Sequence, residues 1–325
     1  MDSDRRFLSQ FDSYFEAINE ALSEPLDTPI PLIRDIGAHS LLGQGKRLRP
    51  LLFVLSARLC GYDSPKIYRY SSAFEYIHTA SLLHDDVLDN AETRRRKPAV
   101  RNVWGNSAAI LGGDYFYAIA SSISLEIDKS ELIRILTETT IRMIEGQFLE
   151  LNHAHDWRLA KEQYMEIIES KTAELIAAAC ACGGVVADAN RKTVLKLSSF
   201  GLNLGISFQL IDDLLDYFSS EEEFGKPVGK DLKEGKITLP LIYALQRLEI
   251  GEAERLAARF RSNTATEDEY SNIIRLVRES GVRELVRADA IAFAARAAGF
   301  LDSFPESSFK KALLDLNNFL VERSF

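Results

Sequence analysis

Two aspartate triplets with identical spacing are the residues most suited to chemistry in this chain. Each places aspartates at positions i, i+1 and i+4 within an apolar run: Asp85, Asp86 and Asp89 in the first, and Asp212, Asp213 and Asp216 in the second. On a helix, the aspartates at i and i+4 share one face, where their like charges repel. A bound cation would remove that repulsion, and carboxylates without cysteine suit a hard ion such as Mg²⁺. One triplet alone is equally typical of a solvated surface helix, but the second copy favours metal binding.

Four basic groups accompany the triplets. They are Gly45-Lys46-Arg47-Leu48-Arg49-Pro50, Arg94-Arg95-Arg96-Lys97-Pro98, Lys171-Thr172 and Gly225-Lys226-Pro227-Val228-Gly229-Lys230-Asp231. Arginine offers planar, bidentate donors to phosphate oxygens, and backbone N–H groups at a glycine turn also reach an anion. Each group alone is typical of solvated surface charge. Together with the triplets, they predict a cavity in which Mg²⁺ and basic side chains hold a departing diphosphate.

The elements that must position these residues are predicted to be helices. Helical periodicity of apolar residues covers 1–24, 33–42, 51–59, a long stretch from Pro65 through the first triplet, a stretch from about Ser107, 131–151, 159–181, 191–219 and most of the chain after Leu239. No alternating strand pattern or two-residue hairpin turn is evident, and 221–236 is predicted to be a loop. The sequence therefore predicts one all-α domain over residues 1–325, a helical bundle in which the two triplet helices face each other across a central cavity.

Composition and charge exclude several classes of protein. The 325 residues are 46% apolar and 27% charged, as in an ordinary soluble protein, and the net charge of −9 makes non-specific binding of nucleic acid a poor hypothesis. The three cysteines have neither disulfide nor zinc spacing. The N-terminus lacks the apolar region of a signal peptide, and no run is expected to span a membrane, so a cytoplasmic protein is predicted.

The motifs resemble those of the trans-isoprenyl diphosphate synthases, the polyprenyl synthetase family. The resemblance runs from about residue 30 to about residue 245, and both acidic motifs are complete. One departure is Arg96, where the family usually has glycine. The resemblance implies the isoprenoid synthase bundle, usually a homodimer, and a head-to-tail (1′-4) condensation of isopentenyl diphosphate with an allylic diphosphate. It also implies two to three Mg²⁺ ions.

The same resemblance implies roles for individual residues. Asp85, Asp89 and Asp212 would be the principal Mg²⁺ ligands, supported by Asp86, Asp213 and Asp216. The allylic diphosphate would be bound by Arg94, Lys171 and Lys226, and the isopentenyl diphosphate by Lys46, Arg49, His78 and Arg95. Thr172 and Gln209 would lie against the reacting carbons. For His78, a purely structural role is an equally good interpretation.

The residues before the first triplet predict the length of the product. In this family, bulky residues four and five positions before the first aspartate block the tunnel for the growing chain, and here those positions are Ser81 and Ala80. Small side chains leave room for further isoprene units, so a product longer than farnesyl is expected, of the octaprenyl or heptaprenyl kind. Alternatively, Ala80 and Ser81 simply pack against a neighbouring helix. Candidates for the tunnel floor are Phe74, Ile77, Tyr115, Phe116 and Tyr117.

Other functions remain open at this point. The chain could be a farnesyl or geranylgeranyl diphosphate synthase, or a terpene cyclase or head-to-head synthase of the same bundle. A cyclase needs no isopentenyl diphosphate site and would lack Lys46 and Arg49. From a different class, the chain could be a non-catalytic partner subunit of a heteromeric prenyltransferase.

Overall fold

The computed structural model describes residues 7–42, 45–95, 97–219, 228–248, 250–261 and 265–322. Within these ranges the protein is almost entirely helical, which confirms the predicted all-α class. The α-helices are α1 (Asp12–Ser23), α2 (Pro31–Ser40), α3 (Leu48–Leu59), α4 (Lys66–Leu88), α5 (Val100–Trp104), α6 (Asn106–Glu126), α7 (Ser130–Asn152), α8 (Lys161–Ile168), α9 (Glu174–Val186), α10 (Arg191–Phe218), α11 (Lys230–Lys233), α12 (Leu239–Leu245), α13 (Ile250–Arg261), α14 (Glu267–Glu279), α15 (Val282–Leu301) and α16 (Ser308–Glu322).

The chain divides into two compact units, each built from segments that are distant in sequence. The first unit comprises Met1–Thr140, Leu175–Gly201 and Phe300–Leu314. The second comprises Ile141–Glu174, Leu202–Gly299 and Asp315–Phe325. The first aspartate triplet belongs to the first unit and the second triplet to the second unit. The predicted single domain over residues 1–325 stays a prediction.

In the first unit, small residues let α4 and α6 approach each other closely. A Cβ atom added at Gly112 would lie 3.4 Å from Cδ1 of Leu83, and one added at Gly113 would overlap the ring of His84. Ala80 on α4 and Ala109 on α6 are fully buried. Such close packing fixes the axial position of α4, which carries the first triplet at its C-terminal end.

In the second unit, an aromatic and aliphatic core supports the C-terminal half of α10. The rings of Trp157 and Phe260 lie 4.8 Å apart, and Phe260 meets Tyr270 edge-on at 5.0 Å. Leu210 and Leu214 of α10 belong to the same core and are fully buried. Since these leucines flank Asp212 and Asp213, burial of one face of α10 sets the direction in which the second triplet points.

Three local features differ from the sequence-based expectations. The long helix ends at Leu88, and Asp89 is its C-cap, because a short antiparallel hairpin pairs Thr93–Arg94 with Lys97–Pro98. The predicted helix over 159–181 is interrupted by a π-helical turn at Glu169–Ala173. The segment 221–236, predicted to be a loop, contains the short helix α11 (Lys230–Lys233) in its described part.

The expectation that no stretch could span a membrane also needs correction. By length and composition alone, α6 and α10 are long and apolar enough to do so. Buried core helices of soluble proteins pass the same test, and 44% of the relevant stretch of α6 and 56% of that of α10 are buried.

Close backbone contact at Gly201 on α10 leads to a stability prediction. An added Cβ would lie 2.7 Å from the carbonyl oxygen of Ile176 and 2.8 Å from Cα of Ala177. These backbone atoms cannot rotate out of the way as a side chain can. Gly201→Ala should therefore lower the free energy of unfolding, measured in urea, by about 2 kcal/mol. As a control, a Cβ at the helical Gly299 meets nothing within 4 Å. Gly299→Ala should therefore raise the same free energy by about 0.5–1 kcal/mol, and equal effects of the two changes would contradict this description of the packing.

Candidate active site

The first aspartate triplet contains two kinds of aspartate. Asp85 and Asp89 are half-buried, whereas Asp86 is buried. Oδ1 of Asp86 accepts hydrogen bonds from Nε of Arg94 at 2.8 Å and from Nη2 at 2.5 Å. Asp86 therefore orients the first arginine of the basic motif, while Asp85 and Asp89 form the more accessible part of the triplet.

The turn of the short hairpin places Arg95 next to Gly45, shortly before α3. A Cβ at Gly45 would lie 3.0 Å from Nη1 of Arg95, and also against the guanidinium of Arg47, so a side chain at Gly45 would displace both. Arg95 has a left-handed backbone with φ 52°. Burial, followed by the charges of Arg47 and Arg94, lowers the pKa of Arg95, and Glu75 partly opposes this.

His78 lies within the same concentration of positive charge. It is half-buried on α4, and its pKa is held well below 6.5, first by burial and then by the guanidinium groups of Arg49, Arg95, Arg94 and Arg47. Three of the four residues predicted to bind isopentenyl diphosphate, Arg49, His78 and Arg95, are thus brought together. The fourth, Lys46, is exposed just before α3. This arrangement is suited to a polyanion, because a neutral imidazole can still donate a hydrogen bond beside the arginines.

The second aspartate triplet also contains both kinds of aspartate, but here the aspartate at i+4 is buried as well. Asp212 is half-buried, and Asp213 and Asp216 are buried. Oη of Tyr164 donates to Oδ2 of Asp213 at 2.5 Å, and Nε2 of Gln209 donates to Oδ1 at 2.6 Å. Burial and the neighbouring Asp231 raise the pKa of Asp213, an effect that these two hydrogen bonds oppose. The side-chain amide of Gln209 is therefore hydrogen-bonded to the second triplet.

Asp216 anchors the segment that follows the second triplet. Its Oδ1 and Oδ2 each lie 3.2 Å from a backbone N–H, those of Lys230 and Asp231 respectively. Its own carbonyl oxygen accepts from the N–H of Gly229 at 2.9 Å, where φ is +71°. The carboxylate thus fixes the start of α11 relative to α10.

Lys171 and Thr172 lie on the π-helical turn. The extra residue of such a turn redirects side chains, and π-turns are frequent at functional sites. Gly146 of α7 permits the turn to approach, because a Cβ there would lie 2.7 Å from the backbone nitrogen of Lys171. Nζ of Lys171 donates to Oε2 of Glu150 at 2.5 Å.

A cavity of about 680 Å³, including its open mouth, brings several of these residues together within the second unit. Its walls include four of the predicted site residues, Lys171, Thr172, Gln209 and Asp213. They also include residues to which the sequence analysis gave no role: Glu150, Tyr164, Asp231 and Lys236. A sequence signal did exist for two of them. Lys236 follows a glycine in Gly235-Lys236-Ile237-Thr238-Leu239-Pro240, and Tyr164 precedes Lys171 by seven residues.

The remaining predicted residues are distributed as follows. Lys226 and Arg96 lie outside the described residues. Phe74, Ile77 and Ala80 are buried on α4, and Ser81 is half-buried with its hydroxyl bonded to the carbonyl of His78 at 2.9 Å. The shared site predicted for the two triplets stays a prediction.

The donor chemistry of the triplets fits a hard divalent cation. In the described part of the chain, no group of three or more His, Cys, Asp or Glu side chains is arranged to enclose a metal ion. Mg²⁺, however, usually keeps several waters and shares the phosphate oxygens of its substrate, so it needs only one or two carboxylates from the protein. The half-buried Asp85, Asp89 and Asp212 offer such carboxylates.

The environment of His78 leads to a prediction on pH dependence. In the unfolded chain His78 protonates below its ordinary pKa of 6.5, whereas the folded protein keeps it neutral. Below pH 6.5 the unfolded state therefore binds more protons than the folded state. The free energy of unfolding then falls by about 1.4 kcal/mol for each unit by which the pH is lowered. Between about pH 7 and pH 5.5, the wild type should lose about 1.4 kcal/mol more unfolding free energy than His78→Gln, measured in urea. Equal losses would contradict the neutral state of His78.

Comparison with known proteins shows the family to which the chain belongs. The family model described as polyprenyl synthetase matches residues 30–277. The octaprenyl diphosphate synthase of Escherichia coli K12 is 34% identical over 294 residues, which cover 90% of this chain and 91% of that protein. A short chain isoprenyl diphosphate synthase of Methanothermobacter thermautotrophicus is 35% identical over 300 residues, 91% of each chain.

A solved structure gives the same result for the fold. The polyprenyl synthase of Caulobacter crescentus CB15, crystallised with calcium and isoprenyl diphosphate, has a TM-score of 0.93 and 36% identity, covering 98% of this chain and 97% of that one. The predicted family, fold and enzyme class are confirmed: the chain belongs to the polyprenyl synthetase family and is a prenyltransferase of the isoprenoid synthase fold.

Proposed function

We propose that this prenyltransferase catalyses the Mg²⁺-dependent head-to-tail (1′-4) condensation of isopentenyl diphosphate with an allylic diphosphate, and that its product is an all-trans polyprenyl diphosphate longer than farnesyl. The observation that carries the proposal is the division of labour within each triplet. Asp86, Asp213 and Asp216 are held by internal hydrogen bonds, and Asp85 and Asp212 are more accessible. This is the arrangement expected of ligands that must be preorganised but still reach a bound ion.

The proposed roles follow the family motifs. Asp85, Asp89 and Asp212 are the principal ligands of two to three Mg²⁺ ions, with Asp86, Asp213 and Asp216 in support. When bound, Mg²⁺ supplies charge stabilisation to the departing diphosphate. Arg94, Lys171 and Lys226 bind the allylic diphosphate, and Lys46, Arg49, His78 and Arg95 bind isopentenyl diphosphate. Thr172 and Gln209 lie beside the reacting carbons.

In the proposed reaction, the bond between C1 and the diphosphate oxygen of the allylic substrate breaks, and the electron pair leaves with diphosphate. Basic side chains such as Arg94 and Lys171 stabilise the leaving group, since their positive charges are already in place when the negative charge develops. The double bond of isopentenyl diphosphate then attacks the allylic cation at C1. A proton is lost to the departed diphosphate, so no side chain needs to act as the base.

Three other functions would share this fold. Shorter products, farnesyl or geranylgeranyl diphosphate, are an alternative within the same chemistry. A non-catalytic partner subunit is the alternative from another class. Such a subunit would not need two complete acidic motifs, whereas this chain has both. A terpene cyclase is disfavoured by the arginines gathered around His78, because it has no second diphosphate to bind. We further propose that the protein forms a homodimer and lies in the cytoplasm. Its membership of the family supports this proposal.

Removal of one accessible carboxylate from either triplet tests the proposed reaction. Asp85→Asn and Asp212→Asn should each lower kcat by about two to three orders of magnitude, because a stabilising charge in the transition state is lost. The assay uses labelled isopentenyl diphosphate, Mg²⁺ and, in turn, dimethylallyl, geranyl, farnesyl and geranylgeranyl diphosphate, with products sized by chromatography.

The control for this assay is Asp188→Asn, which removes an exposed aspartate paired with Lys129. Its kcat should stay within about 2-fold of wild type, since exposed ion pairs contribute little. Full activity in both triplet variants would reject the proposed role of the carboxylates. Absence of any product from the wild type would instead favour the partner-subunit alternative.

The helix α4 also supports the proposed length of the product. Ser81 is half-buried and lies one turn before Asp85 on the same stripe of the helix, whereas Ala80 is fully buried. Burial and the Asp85 charge raise the pKa of Tyr117 to about 12, so Tyr117 lies at the acidic end of α4. Tyr117 is thus a poor candidate for a floor deep in a tunnel. Phe74 is fully buried, and its ring lies 5.3 Å from that of Phe53.

Ser81 and Ala80 give a test of the proposed length. Ser81→Phe and Ala80→Phe should each shift the main product to a shorter chain, because the added ring fills volume that extra isoprene units would occupy. Product size is measured by chromatography with dimethylallyl diphosphate as the starter, so that products shorter than farnesyl can also be detected. The control is Ser81→Ala, which adds no volume and should leave the product unchanged. If both phenylalanine variants fold and make a product of unchanged length, the proposed tunnel wall is wrong.

A further inference from the structure

The basic motif before α3 contains an arginine to which neither the family motifs nor the proposed reaction give a role. Arg47 lies between Lys46 and Arg49, yet only 3% of it is exposed. Its backbone is left-handed, with φ 49°, a strained conformation for a residue with a Cβ atom. The fold therefore holds Arg47 in a backbone conformation that differs from the extended one usual for the residue just before a helix.

The guanidinium of Arg47 connects three separate segments of the first unit. Nε donates to Oδ1 of Asn19 on α1 at 2.9 Å, and Nη2 donates to the carbonyl of Leu41 at the end of α2 at 2.5 Å. Nη1 donates to Oε1 of Glu75 on α4 at 2.8 Å. Since all three nitrogens have partners within the protein, Arg47 acts as an anchor for the turn that carries its neighbours.

Glu75 completes this arrangement from the side of α4. It is 2% exposed and forms with Arg47 an ion pair in which both side chains are buried. Its charge also acts favourably on Arg95, which lies beside Gly45. His78 follows one helical turn later on the same helix. Glu75 thus counteracts the mutual repulsion of the arginines that surround His78.

We propose that the buried Arg47–Glu75 pair is the positioning element of the isopentenyl diphosphate site, and that it sets the affinity for this substrate without touching it. The inference rests on the proposed function. Arg47 fixes the turn that carries Lys46 and leads into the first residues of α3, where Arg49 lies. The charge of Glu75 acts favourably on Arg95 beside that turn. Loss of the pair would leave the four binding residues present but misplaced, so binding would weaken while the chemical step, once the substrate is bound, would change little.

The competing explanation is that the pair only stabilises the fold. A buried ion pair is weak support for stability, because replacing both partners by apolar residues of similar size is often neutral, whereas removing one partner leaves an unpaired buried charge. The double variant Arg47→Met/Glu75→Leu therefore separates the two explanations. It should restore stability but cannot restore the hydrogen bonds that position the turn.

The experiment compares Glu75→Gln, Arg47→Met/Glu75→Leu and a control, Glu126→Gln, which breaks a partly exposed ion pair between Arg69 on α4 and Glu126. For each, KM is measured separately for isopentenyl diphosphate and for the allylic substrate, together with kcat and the urea midpoint of unfolding. In Glu75→Gln and in the double variant, KM for isopentenyl diphosphate should rise by about 10-fold or more, while kcat and the other KM stay within about 3-fold. The control should change neither KM.

The proposal is overturned if either folded variant keeps its KM for isopentenyl diphosphate within about 3-fold of wild type. It is also overturned if the double variant regains stability and affinity together. Binding of isopentenyl diphosphate alone, measured by calorimetry, separates this result from a failure of the proposed reaction. A wild type that binds this ligand but makes no product would reject the reaction, and about 10-fold weaker binding by the variants would still support the positioning role.

Discussion

Repulsion between like charges is the constraint on which the rest of this structure depends. The proposed binding of two diphosphates uses a group of arginines and two groups of aspartates, and each group is unfavourable before any ligand arrives. The protein lowers this cost by pairing part of each group internally. Asp86 is paired with Arg94, Arg47 with Glu75, and Asp213 receives two hydrogen bonds from Tyr164 and Gln209. The groups that remain more accessible are those expected to meet the substrates.

Those internal pairs work only because the elements that carry them are rigid. On α4, Glu75, His78, Asp85 and Asp86 lie on one helix of 23 residues, so the residues beside the arginines and those of the triplet are held at a fixed spacing. Close packing of α4 against α6 through glycine and alanine prevents the helix from sliding. In the second unit, Asp216 performs a similar task for the segment after the triplet by holding backbone N–H groups. Rigidity matters because a carboxylate displaced by about 1 Å already loses much of its effect on a developing charge.

The sequence alone predicted the helices and the residues that carry chemistry, but not how those residues divide their tasks. The i, i+4 spacing identifies Asp85 and Asp89 as neighbours, and the structure agrees because both lie at the end of a regular helix. Spacing cannot say that Asp86 turns inward, since that depends on Arg94, whose position comes from a hairpin of only two residues per strand. Such a hairpin is too short to show an alternation of apolar and polar residues in the sequence. The π-helical turn at Lys171 has no periodic signature either, because one inserted residue resembles an ordinary drift of the apolar stripe.

The geometry of α4 also places a quantitative condition on the product. One isoprene unit advances a chain by four bonds, about 5 Å if three backbone bonds span about 3.5 Å, which is close to the pitch of about 5.4 Å of one helical turn. Along the proposed path of the product beside α4, each turn away from Asp85 therefore makes room for about one unit. Phe74 lies three turns from Asp85, at about 16 Å, so a floor at Phe74 would stop the chain near farnesyl. A longer product requires its chain to pass beside Phe74, and beyond the start of α4 it must be lined by other elements. The small side chains at Ala80 and Ser81 are therefore necessary for a long product but not sufficient, because the packing around Phe74 decides whether the chain continues.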